Sequence, residues 1–250
     1  MTHCAIDGYS RLVVFCKCSG NNRADTVYDL FLKAVENNGL PSRVRCDQGM
    51  ENIRVARHML RHRGVERKSV LVGSSVHNQR IERLWRDMHR CVNSIYYRLF
   101  YYLEQNSLLN PIDNIHLFAL HYIFTPRINR SLCQFVDAWN SYGVRTEHGQ
   151  TPNQLFTSGS LRLRNSGLPA LDFFEYVPES YGMYDADDRN SDEGDAAPQA
   201  IEIPSTMIVI SDEELAELHA AINPLDDSDD FGVNLYTATL ELLQSFNLSS

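Results

Sequence analysis

Short apolar runs alternate with amphipathic stretches along the first hundred residues, and this alternation restricts the chain to a small set of folds. Four runs are typical of strands: 2–6, 12–18, 43–46 and 69–72. Between them, apolar residues recur every three or four positions, as in helices that face a core. Gly39 and Gly64 end the two intervening helices. The order predicts an α/β fold, in which helices flank a mixed sheet and the run 12–18 is a central strand.

Three acidic residues stand at the points where such a fold can bring them together. Asp7 closes the first strand-like run, Asp47 closes the third, and Glu82 lies on a long amphipathic helix that follows Ser74 or Ser75. Three converging carboxylates repel one another by about 4 kcal/mol per pair at 4 Å and an effective dielectric near 20. Oxygen ligands favour Mg²⁺ or Mn²⁺ over zinc, and such ions assist chemistry at phosphates. The simpler interpretation is two turn-capping aspartates and a solvated glutamate.

Charge is divided unevenly along the chain. Residues 1–170 hold 22 of the 23 Lys and Arg residues but only 13 of the 32 acids, whereas residues 171–250 hold the other 19 acids. A basic body suits a polyanionic ligand such as nucleic acid. The acidic tail is expected to contain a disordered linker at about 180–200 and short helices, one of them capped by Ser211. The alternative is a solvated surface with a solubilising tail.

Three sequence blocks resemble the signature of the retroviral-type integrase and transposase core. They are Ile-Asp-Gly-Tyr-Ser-Arg at 6–11, Cys-Asp-Gln-Gly-Met-Glu-Asn at 46–52 and His-Asn-Gln-Arg-Ile-Glu-Arg-Leu-Trp-Arg at 77–86. The likeness is strongest to integrase cores of transposon-derived animal proteins, and it extends through Trp139-Asn140 and 151–156. Thirty-four residues, 48 to 81, separate the last two acids, one fewer than is usual in the family.

The resemblance implies a ribonuclease H-like fold with a mixed five-stranded sheet flanked by helices. It places a catalytic core at 1–110, a helical extension at 111–170 and the acidic, partly disordered tail at 171–250. Asp7, Asp47 and Glu82 become the catalytic and metal-binding residues of a DDE site with two Mg²⁺ or Mn²⁺ ions. Asp7 is expected to bridge both ions, with Asp47 on one and Glu82 on the other. Since nothing like the family's N-terminal domain precedes the first strand, the chain is expected to be a fragment or a reduced copy.

Basic residues around Glu82 are candidates for contact with DNA. The candidate nucleic-acid-binding residues are Asn78, Arg80, Arg83, Arg86 and Arg90. Arginines beside a phosphate site can neutralise backbone charge, although a solvated helix face, with His77 and Asn78 as caps, explains the same pattern. The strip Arg54, Arg57 and Arg61 is a weaker candidate.

The function expected from these features is metal-dependent cleavage and strand transfer of DNA by a polynucleotidyl transferase. The alternative is an inactive, domesticated core that binds nucleic acid or protein. In a third interpretation, the acidic tail mimics DNA or recruits a basic partner. Relatives act as multimers, so a homo-oligomer is expected.

Location and redox state follow from what the sequence lacks. With no signal peptide and no apolar segment of membrane-spanning length, the protein is expected to be soluble, intracellular and, as a DNA-acting protein, nuclear. No membrane partner and no organic cofactor are expected. Six scattered cysteines, none in a C-x-x-C pair, are expected to be reduced.

Overall fold

The fold is α/β and mostly helical. The computed structural model describes residues 1–47, 49–64, 67–73, 79–166, 208 and 210–246. The strands are β1 (Thr2–Ile6), β2 (Val13–Cys18), β3 (Val44–Cys46) and β4 (Val70–Val72). The helices are α1 (Ala24–Asn38), α2 (Ile53–Arg63), α3 (Gln79–Met88), α4 (Ser94–Gln105), α5 (Asn114–Ser141), α6 (Pro152–Ser166), α7 (Asp212–Ala221) and α8 (Val233–Ser245). The expected start of α3 at Ser74 or Ser75 and the linker at 180–200 lie outside the described residues.

The strands pair as two separate sheets of two strands each. Strand β1 runs antiparallel to β2, with Thr2 opposite Cys18, and β3 runs parallel to β4. The expected five-stranded sheet is therefore not formed by the described residues. Strands β3 and β4 pair over only three residues, and β1 pairs with β2 alone. The expectation that β2 is a central strand is wrong within the same residues, because its second edge contacts a helix.

Two asparagines of α5 take the place of a neighbouring strand along that edge. Asn129 Oδ1 accepts from the Cys18 N–H at 2.8 Å, and its Nδ2 donates to the Cys18 carbonyl at 3.0 Å. Asn140 makes the same pair of bonds with Val13, at 2.9 and 3.1 Å. A side-chain amide offers a donor and an acceptor as a peptide group does, so each asparagine satisfies two edge groups.

A disulfide links β1 to β2 and corrects one expectation. Cys4 and Cys16 are directly opposite in the register, with Cα atoms 4.1 Å apart, and they are bonded. The expectation that all six cysteines are reduced is therefore wrong for this pair. Both sulfurs face Met88 at the end of α3, at 3.9 and 3.6 Å from its Sδ. This contact joins the first sheet to a core of Met88, Val92 and Leu132.

Helix α5 continues through Pro126. It spans Asn114–Ser141 without interruption, and the Asp113 side chain caps it by accepting from the Ile115 N–H at 2.8 Å. Proline removes one helical hydrogen bond and usually kinks or ends a helix. Burial on both sides of Pro126 offsets that cost, since Ile123 and Phe124 before it and Leu132 after it are fully buried or nearly so.

The part of the chain that the structure describes contains no helix both long and apolar enough to cross a bilayer.

A π-helical segment, His89–Asn93, joins α3 to α4. The residues that face the core recur at every fourth position: Leu84, Met88, Val92, Tyr96 and Phe100. In an α-helix, each step of four residues rotates about 40° beyond a full turn, so these residues would drift off the core. A π turn holds more residues per turn and cancels part of that drift. The expected single amphipathic helix is thereby confirmed, and one side of it stays buried from 84 to 103.

Residues 210–246 form a helical hairpin that packs against α4 and α5. Its buried side chains, Leu218, Ile222, Tyr236, Leu240 and Leu243, share one core with Leu103, Ile123 and Phe124. The Ser211 hydroxyl accepts from the Glu214 N–H, and the Glu214 carboxylate accepts from the Ser211 N–H, which confirms the predicted cap. We call residues 210–246 the acidic hairpin, since they contain nine acids and no Lys or Arg. Part of the expected tail is thus a packed element of the fold.

Candidate active site and nucleic-acid interface

Asp7 begins a tight turn at the end of β1. Its Oδ2 atom accepts from the Tyr9 N–H at 3.1 Å, from the Ser10 N–H at 2.7 Å and from the Ser10 hydroxyl at 2.7 Å. The backbone closes the same turn, because the Asp7 N–H donates to the Leu12 carbonyl at 2.7 Å. Among the described residues, none of these bonds uses Oδ1. The turn therefore fixes the carboxylate while leaving one oxygen available.

Residues between 139 and 159 contact this turn and hold it in place. The Trp139 indole Nε1 donates to the Arg11 carbonyl at 3.0 Å, and Arg11 pairs with Glu147 at 3.3 Å. Tyr9 lies against Gly159 of α6, where an added Cβ would approach the phenol ring to 2.8 Å. Arg11 itself has a left-handed backbone, with φ of 64°. The position of Asp7 thus depends on α5, on the 145–147 turn and on α6.

Asp47 follows β3 directly and is exposed. Its Oδ1 accepts from Asn52 Nδ2 at 2.9 Å and more weakly from the Gly49 N–H at 3.4 Å, which again leaves the other oxygen outside the hydrogen bonds of the described residues. The φ of Gly49, −62°, suits any residue, so the turn after Asp47 does not need glycine for its backbone angle. The Glu51 carboxylate instead lies over Gly49, 2.3 Å from the position of an added Cβ.

Negative charge collects at this end of β3. Burial, together with the charges of Asp47 and Glu51, raises the pKa of the Cys46 thiol. The thiol is therefore held in its protonated form, in which it is a poor nucleophile and a poor metal ligand. The candidate metal ligands at this end of β3 are therefore carboxylates and not the Cys46 thiol.

Glu82 lies in the first turn of α3 and is exposed. Helix α3 packs against β1, the strand that Asp7 follows. The expected placement of Glu82 on a helix is confirmed.

The three carboxylates are not assembled into a metal site. Across the described residues, which include all three acids, no group of three or more His, Cys, Asp or Glu side chains could hold a metal ion. The donor chemistry fits Mg²⁺ or Mn²⁺, because carboxylates are the oxygen ligands that these ions prefer. The positions of the three carboxylates do not fit, because the described residues do not bring them together into a group that could hold an ion. The assignment of Asp7, Asp47 and Glu82 as metal ligands stays a prediction.

The predicted DNA-binding arginines differ in their surroundings. Arg83 pairs with Asp87 at 3.0 Å, and Arg80 is half-buried and makes contacts of its own. Arg86 and Arg90 are exposed and lie four and eight residues after Glu82, on the same side of the helix. Asn78 and His77 lie outside the described residues. On α2, Arg54 pairs with Asp25 and stacks over Tyr28, whereas Arg57 and Arg61 are exposed.

Sequence reasoning missed the residues that hold the acids in place. Ser10 and Asn52 lie inside the two quoted blocks, so their proximity to Asp7 and Asp47 was a usable signal. Glu147 and Gly159 carried no such signal, because they are more than 130 residues away from the Asp7 turn in sequence.

Comparison with known proteins places the chain in a family. A family model described as an integrase core domain matches residues 1–170. No curated protein and no solved structure matches the chain. The matched segment spans more than half of the chain. It contains Asp7, Asp47 and Glu82, together with the helices that fix the Asp7 turn. The chain therefore belongs to the integrase core domain family.

Proposed function

We propose that this protein is a DNA-binding polynucleotidyl transferase that cleaves and joins DNA strands in the nucleus. The observation that carries the proposal is the way in which hydrogen bonds hold the carboxylates of Asp7 and Asp47. Each ends a strand, each is fixed through one carboxylate oxygen, and the second oxygen takes no part in the hydrogen bonds of the described residues. The integrase core match, which includes both aspartates and Glu82, supports a role for them beyond capping.

In this proposal some residues bind the metal ions or the DNA, and others orient the metal-binding carboxylates. Asp7, Asp47 and Glu82 would hold two Mg²⁺ or Mn²⁺ ions, which when bound supply charge stabilisation at the phosphate and activate the attacking oxygen. Ser10 and Asn52 orient the two aspartates. Arg86 and Arg90 contact the DNA backbone on the side of the helix that carries Glu82, and sequence preference is weak because such contacts read phosphates. As in other family members, the active form is a multimer.

Nicking of supercoiled plasmid in Mn²⁺ tests the activity. Wild-type protein is expected to relax the plasmid, and Asp7→Asn, Asp47→Asn and Glu82→Gln are each expected to abolish nicking. Asp137→Asn is the matched control, since Asp137 is an exposed acid on α5 outside the predicted site. Failure of the folded wild-type protein to nick or to join strands would overturn the catalytic proposal.

A second candidate is a nucleic-acid-binding module without catalysis. The absence of an assembled metal-binding group among the described residues favours it. In that case Asp7→Asn leaves DNA affinity unchanged in the presence and absence of Mn²⁺. If the protein is an enzyme, the metal strengthens DNA binding by wild type, and this gain disappears in Asp7→Asn.

A further inference from the structure

Two histidines lie one turn apart on α2, and their rings stack on each other. The ring centroids of His58 and His62 are 4.0 Å apart, and the ring planes are inclined by 21°. His58 is half-buried and His62 is exposed. Side chains four residues apart lie on the same side of a helix, so one ligand from solvent can reach both rings. Neither histidine has a part in the proposed function.

The Nδ1 atom of each ring is already engaged in a hydrogen bond. His62 Nδ1 donates to the His58 carbonyl at 2.9 Å. Because a carbonyl can only accept, a neutral His62 ring carries its proton on Nδ1 and a lone pair on Nε2. His58 Nδ1 lies 3.0 Å from the Tyr28 hydroxyl, which can accept a proton from it in the same way. Within the described part of the chain, neither Nε2 atom makes a hydrogen bond, so both are left for a ligand.

The surroundings of His58 hold its ring in place and keep it neutral. The ring meets Phe31 edge-on, with centroids 5.5 Å apart, and it also packs on Tyr28 at 5.7 Å. Burial, followed by the charges of His62 and Arg61, lowers the pKa of His58. Neutral imidazole is the form that binds metal ions. The charge of Arg61 also repels a dication, so we expect a site of moderate affinity.

We propose that His58 and His62 bind one Zn²⁺ ion through their Nε2 atoms, with water completing its coordination. Imidazole nitrogen is a preferred ligand of zinc, whereas Mg²⁺ and Mn²⁺ prefer oxygen. A histidine that binds a metal usually donates its other ring N–H to a carbonyl, a carboxylate or water, as His62 does here. Among the described residues, no third His, Cys, Asp or Glu side chain joins this pair.

The stacked rings are close to the spacing that one ion requires. Two nitrogens that each lie 2.0–2.1 Å from a tetrahedral zinc ion are roughly 3.3 Å from each other. The centroids of the two rings are 4.0 Å apart. His58 is fixed by Tyr28 and Phe31, so the exposed His62 ring closes the remaining distance by a small rotation about its side-chain bonds.

The zinc site is independent of the proposed function, because it uses different ligands and a different class of metal. An ion held by His58 and His62 would link two successive turns of α2. This helix begins directly after Asn52, whose side-chain amide donates to Asp47. Since the ion binds the folded helix, zinc is expected to raise the melting temperature of the protein.

Calorimetric titration with Zn²⁺ at neutral pH tests the proposal. One ion per chain is expected to bind. His58→Gln and His62→Gln should each weaken zinc binding at least tenfold, and His62→Gln leaves the fold undisturbed because His62 is exposed. Tyr28→Phe keeps the ring but removes the hydroxyl next to His58 Nδ1, so it should weaken zinc binding roughly tenfold.

The titration needs two controls. Free thiols also bind zinc, so every variant carries Cys91→Ser and Cys133→Ser, which remove the two exposed free cysteines. His148→Asn is the matched histidine control, because His148 is exposed and lies far from α2 in sequence, and asparagine tolerates its left-handed backbone. It should bind zinc as the parent protein does.

Nitrogen-15 NMR of the histidine rings checks which atoms bind the metal. In the metal-free protein His62 should carry its proton on Nδ1, and zinc should shift the Nε2 resonances of His58 and His62 most strongly. Three results would overturn the proposal: no saturable zinc binding, unchanged affinity in His62→Gln, or one ion per two chains with dimers in sedimentation, which would assign the ligands to an interface between copies.

Mn²⁺ titration of the same variants separates this proposal from the catalytic one. His58→Gln and His62→Gln should leave Mn²⁺ binding unchanged, and Asp7→Asn should leave zinc binding unchanged. Zinc binding without any Mn²⁺ binding refutes only the catalytic proposal. Mn²⁺ binding without zinc binding refutes only the histidine site.

Discussion

The indole nitrogen of Trp139, in the last turns of α5, donates a hydrogen bond of 3.0 Å to the backbone carbonyl of Arg11. This bond connects two residues 128 positions apart. Arg11 ends the turn that Asp7 begins, and its N–H donates to the Asp7 carbonyl at 3.0 Å. The helical extension therefore does more than cover the sheet, because it determines where the first predicted catalytic acid lies.

Trp139→Phe should separate the position of Asp7 from overall folding. Phenylalanine keeps the packing against Phe135 but leaves the Arg11 carbonyl without its donor, at a cost of about 1 kcal/mol in the free energy of unfolding. Under the proposed function, nicking should fall by more than this modest loss of stability explains. Thermal unfolding and plasmid nicking measured together check it. Normal nicking by Trp139→Phe would show that the Asp7 turn does not need this bond.

Asn140→Ala should weaken the link between α5 and the edge of β2. The change removes two hydrogen bonds and leaves the Val13 N–H and carbonyl unpaired, so we expect a loss of roughly 2–3 kcal/mol in the free energy of unfolding. Urea denaturation measures the loss. Asn153→Ala on α6 serves as the control, because Asn153 is exposed. Equal stability of the two variants would contradict the role given to the Asn140 amide.

Removal of the acidic hairpin should destabilise the protein. A chain ending at residue 207 would expose Leu103, Ile123 and Phe124, which are at most 1% exposed in the intact fold. It would also free Arg127, whose Nη2 donates to the Asp226 carbonyl at 2.6 Å and whose Nε lacks a hydrogen-bond partner among the described residues. We expect aggregation in size-exclusion chromatography and a lower melting temperature.

The control for that truncation is a chain ending at residue 246, which keeps both helices of the hairpin. The DNA-mimic interpretation predicts the opposite result. A monodisperse protein that ends at residue 207 and binds DNA more tightly at low salt would support the mimic and contradict a packed structural role.

Tyr236 should make stability depend on alkaline pH. Burial, helped by the charge of Asp113, raises its pKa to about 12 from an ordinary value near 10. The folded state thus holds the phenol proton more tightly than the unfolded state does. The resulting stability is complete below pH 10 and is lost as the pH rises towards 12. Urea denaturation from pH 9 to 11.5 should show a decline in wild type that is smaller in Tyr236→Phe. Parallel curves would contradict the burial of this hydroxyl.

Local patterns predicted most of the elements because local forces produce them. The runs ending at Ile6 and Cys46 became β1 and β3, and Gly39 and Gly64 ended α1 and α2 with φ of 84° and 82°. The Ser211 cap formed with its Glu214 partner. In each case the residues that predict the element lie within one or two helical turns of the element itself.

The features that the sequence did not predict depend on contacts between distant residues. Proline ordinarily ends or kinks a helix, but at Pro126 the burial of Phe124 and Leu132 on either side outweighs the lost bond. Within the described residues, the edge of β2 bonds to the side chains of Asn129 and Asn140, and no strand-like pattern of their own marks these two residues. Whether Asp7, Asp47 and Glu82 come together depends on the distances between the elements that carry them. Strand and helix patterns in the sequence do not encode those distances.

Calorimetric titration with Mn²⁺ tests the central claim most directly, because it asks whether the three acids act together on a metal. Wild-type protein is expected to bind two ions with saturable heat, and Asp7→Asn, Asp47→Asn and Glu82→Gln should each lower the affinity or the number of ions bound, while Asp137→Asn should leave both unchanged. A wild-type titration without saturable heat, or one that the three variants reproduce, would contradict the account.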